Sequence, residues 1–256
     1  MKKLLVLALA VSCLLPSANA QEEVIPPKRG KAAKVGLFGG FTPGYLSVNV
    51  APVNEFLKAS GIAPFDQNGM FLWGGAGAAY IMLVPNLRVG GLGMSGSIST
   101  GSSVQVPGVG QVQRDARLSV GFGGVTIEYV IPVVERLDIA MGAMLGGGGM
   151  DLTLKQNIGG IDSWSNEQKT FAATTWPPNS LNNVTRVLSG SYFIWIPSVN
   201  VEYAVLGWLG IRLGASYVGM SFPSWSVDND YTLNNVPKEV TGEGFMVNAG
   251  IFVGTF

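Results

Sequence analysis

The chain has 256 residues, of which 47% are apolar and only 12% charged, with sixteen basic and sixteen acidic side chains and no histidine. No basic stripe stands out, which removes nucleic acid as a partner. With no histidine and one cysteine, the chain lacks the usual ligands of zinc, haem and iron–sulfur clusters, so no cofactor and no metal site are expected.

Residues 1–20 read as a secretory signal peptide. Lys2 and Lys3 precede an apolar run from Leu4 to Leu15, and Ala18-Asn19-Ala20 supplies a small-x-small cleavage site. The run is too short for a membrane helix. Cys13 lies inside it, and Ala10 three residues earlier is a poor match to a lipoprotein signal. Cleavage after Ala20 would leave a chain without cysteine, so disulfides and thiol chemistry are not expected despite an oxidising compartment. Residues 21–34 carry Pro26-Pro27 and the basic residues Lys28, Arg29, Lys31 and Lys34, and read as a flexible periplasmic lead-in. Residues 35–256 then form one domain.

That domain reads as strands. Val35 to Phe41 is the first, followed by a loop in which Val53, Phe56 and Leu57 have helical spacing and Gly61 acts as a stop. This short helix over residues 50–61 covers the mouth of the domain or acts as a plug or gate. Strands follow over 70–84 and 87–99, then a Gly/Ser/Pro loop over 100–111. The best-patterned hairpin comes next. Val125, Ile127, Tyr129 and Ile131 alternate with small or polar residues, as do Leu137, Ile139, Met141, Ala143 and Leu145, with Pro132 to Glu135 between them. Leu118, Val120 and Phe122 have the opposite parity, and Gly123-Gly124 at the change suggests a β-bulge. The loop 155–183 is the longest, with room for an extra hairpin. The hairpin pattern returns at 184–205 and 209–222, and the last strand is 244–256.

Short turns alternate with long loops, and no apolar run after the first twenty residues is long enough for a membrane helix. Apolar strands without a spanning helix point to an all-β, closed, antiparallel up-and-down transmembrane barrel of about eight strands, since closure satisfies every backbone group in lipid. Arg88, Glu128, Asp138, Glu202 and Arg212 all fall on the non-lipid parity beside short turns. They form an expected charge cluster in the lumen, since a lipid-facing Arg or Lys near the midplane costs roughly 2–4 kcal/mol. Tyr129, Tyr203 and Trp208 are the expected interfacial aromatics.

The segment Met246 to Phe256 resembles the last strand of bacterial outer-membrane barrels, which ends in an aromatic residue and is read by the barrel-assembly machinery. Phe252 and Phe256 match that signal, although Val247, Ala249, Ile251 and Val253 form the more continuous apolar set. With the signal peptide and the turn–loop layout, the chain resembles the small eight-stranded outer-membrane barrel proteins. The resemblance implies a place in the cell outer membrane, with lipid and the assembly machinery as partners. Enzymes among such barrels rely on a catalytic histidine, which this chain lacks. Glu128 and Asp138 could in principle do acid–base work, but a salt-bridged plug is the better reading. Asp228-Asn229-Asp230 lacks the spaced glycine and terminal Glu of a calcium loop.

Three functions fit. One is a non-enzymatic barrel with a structural or surface-loop interaction role. Another is a small channel or carrier for small or hydrophobic molecules. The third is a soluble lipocalin-like ligand-binding barrel, which would leave the low charge and terminal Phe unexplained.

Overall fold

A computed structural model describes residues 36–81, 83–107, 110–157, 184–228 and 231–254. In chain order these form β1 (Leu37–Phe41), β2 (Gly44–Ser47), helix α1 (Ala51–Ala59), β3 (Gly69–Tyr80), β4 (Leu87–Val106), β5 (Gly110–Val134), β6 (Leu137–Asn157), β7 (Val184–Leu206), β8 (Leu209–Val227), β9 (Tyr231–Thr232) and β10 (Gly244–Gly254). From β3 to β8 each strand pairs antiparallel with the next, β10 pairs with β8, and β1 and β2 each pair with both β10 and β3. The sheet therefore closes. β1 and β2 are one stave interrupted at Thr42-Pro43, where the ladder persists through Thr42 N–H donating to the Gly74 carbonyl at 2.9 Å and Ala249 N–H to the Pro43 carbonyl at 3.0 Å. The result is an eight-stave antiparallel up-and-down barrel, with β9 a short addition on the edge of β8.

The helix in the first loop forms as its sequence dictates. Pro52 lies in its first turn, where its missing N–H costs nothing. Gly61, at φ +68°, ends it. Ile62 N–H then donates to the Leu57 carbonyl at 2.8 Å and Gly61 N–H to the Lys58 carbonyl at 3.1 Å, the Schellman pattern. Val53 and Leu57 face down into the barrel and Phe56 stays largely exposed, so only part of the apolar set at helical spacing is buried.

Two expectations need correction. The loop foreseen over 100–111 is mostly strand: β4 and β5 pair in unbroken register from Leu87↔Tyr129 to Val106↔Gly110. Its serines and glycines do not break the ladder because cross-strand bonds run its whole length and the inner face of the hairpin is packed, with Val112 and Ala116 buried and Thr100 Oγ1 donating to the Pro64 carbonyl at 3.2 Å. The bulge expected at Gly123-Gly124 is also absent, since both neighbours of β5 keep register there. The irregularity on β5 lies between Pro132 and Val134, where proline has no N–H for the ladder.

What changes at Gly123 is which face carries the oil. Even-numbered residues of β5 point inward along the strand. Above the glycines the inward side chains are Leu118, Val120 and Phe122, while Gln111, Gln113, Asp115 and Arg117 point outward. Below them Val125, Ile127, Tyr129 and Ile131 are exposed, and Glu128 is buried. β5 is 25 residues long, whereas a tilted strand crosses a bilayer in about 9–11. The upper part of the barrel is thus built like a water-soluble protein, with an apolar core that includes Leu46, Leu72, Met150 and Ile194 and is roofed by Val53 and Leu57 of α1. The lower part is inverted, with an apolar exterior, as in a membrane-spanning barrel.

Candidate functional site

The lower interior is organised by ions. Cross-strand register sets Arg88 opposite Glu128 on β4 and β5, and Glu202 opposite Arg212 on β7 and β8. Ring closure then brings the two pairs face to face. Arg88 Nε donates to Glu128 Oε2 at 2.7 Å, and its Nη1 donates to Glu202 Oε2 at 2.8 Å. A second bond, from Arg88 Nη2 to Glu202 Oε1, makes that contact bidentate. Arg212 Nη2 lies 2.5 Å from Glu202 Oε1 but off the line of a hydrogen bond, so the contact is one of charge. Its Nη1 reaches Glu128 Oε1 at 3.5 Å. Asn200 Nδ2 donates to the same Glu128 oxygen at 3.1 Å. All four ionic side chains are buried, and the two guanidiniums balance the two carboxylates.

Phe38 and Phe252 complete the cluster, meeting edge to face with centroids 5.3 Å apart. The Arg88 guanidinium carbon lies 4.9 Å from the Phe38 ring centre, and that of Arg212 lies 4.8 Å from Phe252. Rings of this kind offer their negative faces to cations in a dry site. Asp138, paired in register with Glu202, is half-buried and lines a cavity of about 20 Å³ below the cluster. A second cavity of about 30 Å³ lies above it, between Thr42, Asn200, Ser216 and Asn248. Each has room for about one water.

The outer surface carries two aromatic bands. Tyr129, Tyr203 and Trp208 are exposed beside the short turns. A further set stands at the other edge of the apolar belt: Phe41 stacks on Trp73, Tyr45 meets Phe71, and Tyr217 lies between Trp195 and Phe245. This second band escaped the sequence reading because each stave supplies only one or two of its members, and register alone aligns them. On β10 Val247, Ile251 and Val253 point outward while Phe252 points inward, so its ring packs on Arg212 and not among the outward apolar residues. Phe256 lies outside the described residues.

Among the described residues no group of three or more Cys, Asp or Glu side chains is placed to hold a metal ion. Of the Asp228-Asn229-Asp230 triplet only Asp228 is described. Its carboxylate accepts the Val187 N–H at 2.9 Å and the Arg186 guanidinium at 2.5 Å. The backbone bond first, and the guanidinium second, hold it below the usual carboxylate range.

No protein-family model matches the chain, and no curated protein does. Among solved structures it is similar to Ail, the attachment invasion locus protein of Yersinia pestis, solved with the heparin analogue sucrose octasulfate. That similarity has 10% identity, 85% of this chain and 97% of the other covered, and a TM-score of 0.39. It is similar also to a major outer membrane protein of Thermus thermophilus, at 8% identity, 86% and 98% covered and a TM-score of 0.41. A third is CarO2 of Acinetobacter baumannii, at 12% identity, 86% and 99% covered and a TM-score of 0.36. The assignment of this chain as a small β-barrel rests on its own closed ring of hydrogen bonds.

Proposed function

We propose that the protein is a non-enzymatic outer-membrane barrel, exported with residues 1–20 as a cleaved signal, that holds a rigid extension above the membrane as an interaction surface. The observation that carries this reading is the inversion of polarity along single strands. A soluble lipocalin-like barrel needs no belt of exposed Val, Ile, Leu and Trp on its lower half, and a bare membrane anchor needs no packed apolar core above it. The channel reading has less support, because the lower interior is filled by paired ions and rings around cavities of about 30 and 20 Å³. Eight-stranded barrels are commonly filled in this way. A role for Phe252 and Phe256 in recognition by the assembly machinery belongs to the same proposal, as does insertion of the belt into outer-membrane lipid.

The only cysteine in the sequence falls within the expected signal peptide, so single cysteines can report topology directly. With Ser99→Cys on the extension, a membrane-impermeant maleimide should label intact cells. Gly207→Cys in a short turn should label only after the outer membrane is permeabilised. The reverse pattern would overturn the orientation, and recovery of the protein in the soluble periplasmic fraction would overturn the membrane placement.

A further inference from the structure

The extension holds an apolar cavity of about 230 Å³ at the upper end of the ring, which the role proposed above does not use. Pro52, Val53 and Phe56 of α1 form one wall, and the inward side chains Leu118, Met150 and Leu152 form the floor. Leu188 and Trp225 close a third side, and residues 233–240 run across as a strap. The strap is fixed at several points. Leu233 N–H donates to the Trp225 carbonyl at 2.9 Å, and the Tyr192 hydroxyl donates to the Val240 carbonyl at 3.1 Å. Further along, Glu243 Oε1 accepts the Met220 N–H at 2.9 Å. Tyr192 also packs edge-on to Trp225, with centroids 6.1 Å apart. On the opposite side Arg114 Nη1 donates to the Ser60 carbonyl at 2.9 Å, which pins the end of the helix.

The cavity is far larger than the water-sized gaps of a packed interior, its walls are anchored, and it is partly open, with Phe56, Asn234 and Asn235 of its lining exposed. Among the described residues, its polar groups are the side chains of Asn234 and Asn235 in the strap and the indole N–H of Trp225, and none of its lining side chains is charged. An ion would lose its hydration there without gaining a partner. An apolar void of about 150 Å³ is enough for benzene. We propose that this cavity binds a compact, uncharged, apolar molecule, about the size of one substituted aromatic ring.

Indole is a suitable probe, titrated into the protein in lipid nanodiscs with carbon-13-labelled methionine methyls. The Met150 methyl, on the cavity floor, should shift saturably, whereas that of Met144, buried in the core away from it, should not. Benzoate, a ring of similar size bearing a carboxylate, should bind at least tenfold more weakly. Leu188→Trp should fill the cavity and weaken indole binding at least tenfold, with the Met144 signal reporting an intact fold; Leu152→Phe serves if that variant does not fold. Non-saturating shifts common to Met150 and Met144 would mean partition into lipid and would overturn the proposal. So would unchanged binding in the filled variant. Binding seen only after deletion of residues 158–183 would overturn it too, since the cavity would then serve the chain itself.

Discussion

Among the described residues, Arg88 is the largest side chain that is almost wholly buried, and it carries a charge. Such a group persists in a dry interior only where partners replace the water it has lost, and here Glu128 and Glu202 do so. The penalty for breaking the set should therefore exceed the net worth of any one contact. Arg88→Met should destabilise the barrel by about 3–5 kcal/mol, because it leaves an excess of buried negative charge. Adding Glu202→Gln should recover part of that loss, since one uncompensated carboxylate disappears. Urea unfolding in lipid vesicles measures both, and additive losses would show that the two residues do not act as a unit. Parity beside the short turns suffices to put Arg88, Glu128, Glu202 and Arg212 on one face. The partnership of Arg88 with Glu202, 114 positions apart, depends on closure of the ring, which no local pattern encodes. Phe38 and Phe252 are harder still to find, since an inward phenylalanine beside glycine-rich alternation looks like any apolar strand residue.

At the scale of elements, the hairpins were legible because period-two alternation and short turns are local signals, and so was α1, whose spacing and terminal glycine suffice. The inversion on β5 was visible too, but a change of apolar parity has two readings, a bulge or a change of surroundings. Only the cross-strand register separates them. The many glycines divide in the same way. At Gly142, on the inward side of β6, an added Cβ would lie 2.2 Å from the Ile127 carbonyl oxygen, so the backbones meet too closely for any side chain. At Gly147, pointing outward on the same strand, a Cβ would come no closer than 3.9 Å to its nearest neighbour. Gly142→Ala should accordingly reduce the yield of folded, heat-modifiable barrel on electrophoresis, whereas Gly147→Ala should leave it near the level of the unaltered protein. Equal effects would mean that strand crowding does not set the glycine positions.

For the whole molecule, the height of the belt is the quantity that ties sequence to membrane. From Phe193 to Tyr203 on β7, both exposed, there are ten residue steps. At about 3.3 Å each along a strand tilted by about 40°, these span roughly 25 Å, the height of the apolar band on barrels of this kind. The aromatic bands lie at its two edges, where amphipathic rings favour the boundary between lipid and water. A charge on the outward face should therefore be judged by height alone, even within one strand. Val125, four residues above Tyr129, lies well inside the belt on β5, and Gln111 lies on the same face of the same strand, far up the extension. Val125→Arg should cost roughly 2–4 kcal/mol of folding free energy in lipid vesicles, the depth-dependent penalty for a guanidinium near the midplane. Gln111→Arg, in water, should fall within the roughly 0.5 kcal/mol of an ordinary surface change. If the two variants lose stability equally, the outer surface of β5 has one solvent throughout, and the division of the barrel into a lipid-facing half and a water-facing half fails.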